Sequence, residues 1–107
     1  MQSYTAVYLK AFGLDETDFV PCECCGKKGT EIHHILARSK EPHLLNDIHN
    51  LQSICRTCHQ EFGDRVYLMP MLLKIHRAVL RNNGIEYDPR WFEFYIKKYE
   101  NLKELKE

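Results

Sequence analysis

With 107 residues, 44% of them hydrophobic and 28% charged, the chain is sized for one thin-cored domain, which excludes collagen-like, low-complexity and wholly disordered classes. Fifteen Lys and Arg balance fifteen Asp and Glu, so no global field draws the chain to a polyanion, and any such binding must be local. No stretch of about 18 apolar residues occurs, and the N-terminal segment lacks the basic flank and cleavage site of a signal peptide, so a cytoplasmic protein without a membrane span is expected.

In chain order, Tyr4, Val7, Tyr8, Ala11 and Phe12 recur at helical spacing, and Gly13 suits a C-terminal cap, which predicts a helix over residues 3–12. Pro21 to Gly29 reads as a knuckle-like turn, neither strand nor helix. Residues 30–35 and 51–54 read as two short strands. Between them lies a polar loop, 37–50, with apolar anchors at Leu44, Leu45 and Ile48. A helical segment from Arg56 is broken near Gly63.

The last third predicts two helices. One opens with Pro70 in its first turn and carries Met69, Leu72, Leu73, His76, Val79 and Leu80 as one stripe. The other starts at Asp88 as N-cap, with Pro89 first in the helix, and runs through Trp91, Phe92, Tyr95, Ile96, Tyr99, Leu102 and Leu105. On those faces His76 reads as a hydrogen-bonded core histidine and the aromatics as a packing seam. Residues 1–107 form a single α+β domain in this reading, with a small core at about 21–65 and a helical extension at about 66–107.

Five cysteines, an odd number without a secretory signal, favour metal binding over a disulfide framework. Cys22 and Cys25 form one C-x-x-C pair, and Cys55 and Cys58 form another. The two-residue gap lets both thiolates of a pair face one ion, so a tetrahedral structural zinc is expected, with Gly26 easing the turn and Cys24 spare. Between and after the pairs lie His33-His34-Ile35, Asn50-Leu51 and His59 directly behind Cys58. On a strand the rings of His33 and His34 face opposite sides, so both reach one site only through a bend or a neighbouring helix.

Cys22-x-x-Cys25, His33-His34-Ile35, Asn50-Leu51 and Cys55-x-x-Cys58-His59, in this order, resemble the HNH endonuclease family with its ββα-metal core. The resemblance implies a ββα-metal core, which the four-cysteine zinc would staple; the N-terminal helix and the two C-terminal helices that flank it are read from their periodicity and carry no family assignment. The resemblance also implies that His34 is the general base that activates water against a DNA phosphodiester. His33 and His59 become ligands of one divalent cation, and Asn50 ties the loop down and helps orient the base. That cation is expected to be magnesium or manganese, with zinc or nickel also admitted by imidazole ligands. The implied products carry a 5′ phosphate and a 3′ hydroxyl.

Arg38 and Lys40, following the base on the same loop, are the expected substrate contacts, while Glu31 and Asp64 read among the acids that balance nearby basic residues. His43 and His49 read mainly as solvated loop residues. Because the net charge is zero, a homodimer or protein partner through the C-terminal helices is a candidate source of DNA grip. The competing reading is a non-catalytic zinc-binding module that binds nucleic acid or protein.

Overall fold

The computed structural model describes residues 2–106, with side chains to residue 102, so the apolar position at Leu105 lies outside the described side chains. The N-terminal helix α1, Ser3–Phe12, ends at Gly13 in the left-handed conformation, and the Gly13 N–H donates to the Lys10 carbonyl, as its capping position demands. Strands β1, Glu31–His34, and β2, Leu51–Ile54, pair antiparallel, with His33 opposite Gln52 and His34 opposite Leu51. Helix α2, Arg56–Phe62, follows β2 after one residue, Cys55, whose Sγ accepts from the Cys58 N–H. Helices α3, Met69–Asn82, and α4, Pro89–Lys106, complete the chain. This is the α+β architecture expected from the sequence.

The connection between the strands is more ordered than a polar loop. Pro42–Leu44 and Ile48–Asn50 each form a 3-10 turn. The connection is closed at its base by Ile35 N donating to the Asn50 carbonyl at 3.0 Å. Leu44 is buried as expected, but Leu45 is exposed.

The apolar core lies away from the four cysteines. Ile35, Leu36 and Leu44 from the connection pack with Met69, Leu72, Leu73 and Leu80 of α3 and Phe92, Ile96 and Tyr99 of α4. Trp91 and Tyr95 border this cluster, confirming the aromatic seam. A smaller cluster forms around Cys22, Ile54 and Cys58. Much of the core is therefore supplied by helices outside the ββα segment.

A buried polar knot joins the two clusters. His76 is wholly buried; its Nδ1 lies 2.9 Å from Glu23 Oε1, and its Nε2 donates to the Ile48 carbonyl at 2.7 Å. Tyr8 donates its hydroxyl to Glu23 Oε2 at 2.7 Å, and Gln52 Nε2 donates to Oε1 at 3.2 Å. His76 is thus the hydrogen-bonded core histidine read from its apolar stripe. Its partner, Glu23, sits inside the first cysteine pair. Such a group is tolerated out of water only because its oxygens are fully engaged.

Candidate active site

The two C-x-x-C pairs converge. One Sγ each from Cys22, Cys25, Cys55 and Cys58 lie within 4.8 Å of one another, and Cys25 and Cys55 are 3.8 Å apart. A tetrahedron with arms of about 2.3 Å has edges of about 3.8 Å, so the group fits a structural zinc. The first knuckle turns because Gly26 adopts φ 80° and donates its N–H to the Cys22 carbonyl at 2.9 Å, while Cys22 N donates to the Lys27 carbonyl. Burial works against ionising Cys22, but backbone N–H groups outweigh it and bring its thiol down to about 7. Cys58 is pushed up by burial and by the neighbouring sulfurs, the mutual repulsion that a dication relieves. Cys24 stands outside the group, packs against the core and is pushed up to about 12 by burial and then by the charge of Cys22, which suits its reading as spare.

The second C-x-x-C pair sits at the start of α2, with Cys55 as its N-cap, and so sets the place of His59 on the first turns. Strand alternation puts Glu31 and His33 on the face toward α2 and His34 on the face toward α1. The His33 and His59 rings lie 4.5 Å apart between centroids, and Asp64 completes a group whose ligand atoms lie within 4.8 Å of one another. His59 Nδ1 donates to Glu31 Oε2 at 2.8 Å, leaving Nε2 directed at Asp64 Oδ2, 3.1 Å away. His33 Nε2 is buried without any hydrogen-bond partner. An orphaned imidazole nitrogen beside a second imidazole and a carboxylate fits a divalent cation. Burial, then the charge of His59, holds His33 down to about 4, so its lone pair is available. Burial alone would lower His59, but hydrogen bonds to Glu31 and Asp64 outweigh it and raise it.

Backbone geometry places Asp64. Helix α2 stops at Gly63, packed so tightly on His59 that an added Cβ would sit 2.7 Å from the His59 carbonyl oxygen and run into its ring. Asp64 then takes φ 61°, a left-handed conformation in which Asp is among the favoured non-glycine residues. Glu31 and Asp64, read from the sequence only as charge balance, are therefore parts of the site.

His34 stands on the other side of the strand but opens into the same space. Its Nε2 lies 3.0 Å from the Leu45 carbonyl oxygen. A carbonyl only accepts, so Nε2 carries the proton and Nδ1 keeps its lone pair. Burial lowers the His34 pKa; the Leu45 carbonyl acts against this, and the charge of Arg38 acts with it. A cavity of about 690 Å³ is lined by His33, His34, His59, Asp64, Arg38 and, from α1, Tyr4, so the imidazoles of 34 and 59 share one cleft.

The other expected site residues fall elsewhere. Asn50 is buried, and the hydrogen bonds of its side chain go to Leu36. Its Oδ1 accepts from Leu36 N at 2.8 Å, and its Nδ2 donates to the Leu36 carbonyl at 3.1 Å, which pins the chain just past the paired histidines. Lys40 is exposed and does not line the cavity. His43 contacts the Tyr95 hydroxyl, and His49 contacts Asp47 and the Asp88 N–H, so both loop histidines tie the connection to α4 and its entry.

Residues 22–65 match the family model of the HNH endonucleases, a segment that takes in both cysteine pairs, both strands, α2 and Asp64 and leaves out α1, α3 and α4. No curated protein and no solved structure matches the chain.

Proposed function

We propose that this chain is a metal-dependent DNA endonuclease of the HNH type, with His34 as its general base. One observation carries the reading: the Leu45 carbonyl leaves His34 Nδ1 as the proton acceptor, in a cavity shared with His33, His59 and Asp64. A neutral imidazole with a fixed tautomer takes a proton from water near neutral pH. The activated water attacks a phosphodiester phosphorus and the bond to the 3′ oxygen breaks, giving a 5′ phosphate and a 3′ hydroxyl.

His33, His59 and Asp64 would hold the divalent cation, magnesium or manganese in the first instance, with zinc and nickel compatible with the imidazoles. When bound, that ion supplies Lewis-acid stabilisation of the charge developing on the phosphate and the departing oxygen. Glu31 fixes the His59 tautomer through Nδ1, which would leave Nε2 free to hold the cation. Arg38 lines the cavity and is the cationic side chain placed to meet the substrate phosphate. Cys22, Cys25, Cys55 and Cys58 hold the structural zinc.

Plasmid nicking with magnesium or manganese, comparing the parent with His34→Ala, tests the reading. The parent is expected to convert supercoiled DNA to nicked circles, and the variant to lose at least about 100-fold in rate while staying folded. A folded, zinc-loaded parent that leaves DNA intact under both cations would instead favour a non-catalytic zinc module.

A further inference from the structure

Helix α1 lies outside the segment that matches the family, yet its first turn reaches the cavity. The Tyr4 ring packs edge-on against the His34 imidazole, with centroids 4.6 Å apart and planes at 68°. The Arg38 guanidinium lies over the same Tyr4 ring, 5.8 Å from its centroid. One residue earlier, Ser3 donates its hydroxyl to Asn46 Oδ1 at 3.0 Å. Asn46 adjoins Leu45, whose carbonyl receives the His34 proton. One turn of α1 therefore touches the imidazole, the turn that supplies its acceptor, and the neighbouring cation.

We propose that Tyr4 is a positioning residue for His34: its ring blocks the half-turn about the Cβ–Cγ bond that would exchange Nδ1 and Nε2 for ring carbons, and Ser3 steadies the acceptor. This rests on the reading of His34 as the base. At a 4.6 Å centroid separation the imidazole cannot sweep through that rotation unless Tyr4 moves aside. The Leu45 carbonyl alone is a single hydrogen bond at the end of a side chain with two rotatable bonds, and a flip would leave a C–H facing the oxygen. Tyr4 also gives Arg38 an aromatic face to rest on, which keeps the guanidinium beside the cavity. The Tyr4 hydroxyl makes no hydrogen bond among the described residues, so the ring and not the oxygen carries the role.

Long-range proton–nitrogen NMR spectra of the zinc-loaded chain, residues 1–107, read the His34 tautomer directly, without requiring cleavage. The parent and Tyr4→Phe are expected to show one set of His34 nitrogens, protonated at Nε2. Tyr4→Ala is expected to show averaged or broadened His34 nitrogens. In cleavage assays kcat should fall by about 10- to 100-fold in Tyr4→Ala with KM little changed, and Tyr4→Phe should restore it. A folded Tyr4→Ala protein that keeps the parent's single tautomer overturns the proposal, and so does a fall in kcat with an unaltered His34 spectrum. If Tyr4→Ala does not fold, Tyr4→Val, which keeps an apolar side chain but removes the ring, is judged by the same spectrum. If no protein in the series cleaves DNA, the nuclease reading fails while the spectra still decide the role of Tyr4.

Discussion

At the scale of single residues, Gly63 and Asp64 set how closely α2 can present His59. A methyl group at 63 meets backbone and ring together, and backbone cannot step aside cheaply, so Gly63→Ala should push His59 off its line to Asp64. Titration calorimetry with manganese should show weaker binding by about 10-fold or more, at a stability cost of about 1–3 kcal/mol in urea unfolding. His33, His34 and His59, which line one cavity, stood out in the sequence because their types and order form a motif; Asn50 stood out by the same motif but pins the Leu36 backbone. Glu31 and Asp64 did not stand out, because acids are common on any surface and nothing in composition separates a ligand from a counter-charge. A signal did exist for Glu31: two positions before His33 on a strand is the same face. For Asp64 the placement depends on a left-handed backbone that only the folded turn reveals.

At the scale of elements, the entry to α4 is built by two residues from different parts of the chain. Asp88 Oδ1 accepts from Arg90 N at 2.9 Å as the N-cap, while Asp88 N donates to His49 Nε2 at 2.9 Å. His49 in turn stacks on Trp91, with ring centroids 5.1 Å apart. Asp88→Ala should cost about 1 kcal/mol in urea unfolding, the usual loss of a cap. Further along α4, Lys98 Nζ and the Tyr99 hydroxyl both donate to Glu41 Oε2, at 2.7 and 3.0 Å. Burial alone would raise the Glu41 carboxyl, but these donors outweigh it and hold it below the ordinary 4.5. A depressed carboxyl stabilises the fold above its unfolded value and ceases to do so as pH falls through its folded value. The melting-temperature difference between the parent and Glu41→Gln should therefore be full above about pH 4.5 and vanish below the folded pKa. The three longer helices were legible from caps, prolines and periodicity, while the two strands and α2 showed only as short segments bounded by turn residues and the cysteine pairs. The 35–50 connection was not legible, since its order comes from Asn50, His43 and His49 bonding to distant partners, a property of the assembled fold.

At the scale of the whole molecule, cohesion has two sources: the apolar cluster between α3, α4 and the connection, and the four-cysteine group beside Ile54 at the end of β2. Metal binding at such a site contributes on the order of 10 kcal/mol, comparable to the entire net stability of a small domain. Chelation, or Cys58→Ser, should therefore abolish cooperative unfolding of the ββα segment. Circular dichroism melts would show this, and an unchanged melt after verified zinc loss would remove the ion from the account. Among the described residues no helix is long and apolar enough to cross a membrane.

The Glu23–His76 pair bears on how this nuclease-like unit could be moved or shortened. Residues 22–65 look like a portable cassette, but their carboxylate at 23 finds its imidazole on α3, beyond the cassette's end. Transplanted alone, the unit would leave that carboxylate beside the cysteine group without the imidazole and the Tyr8 hydroxyl that engage it here. A recipient scaffold would have to bring a histidine of its own to that spot.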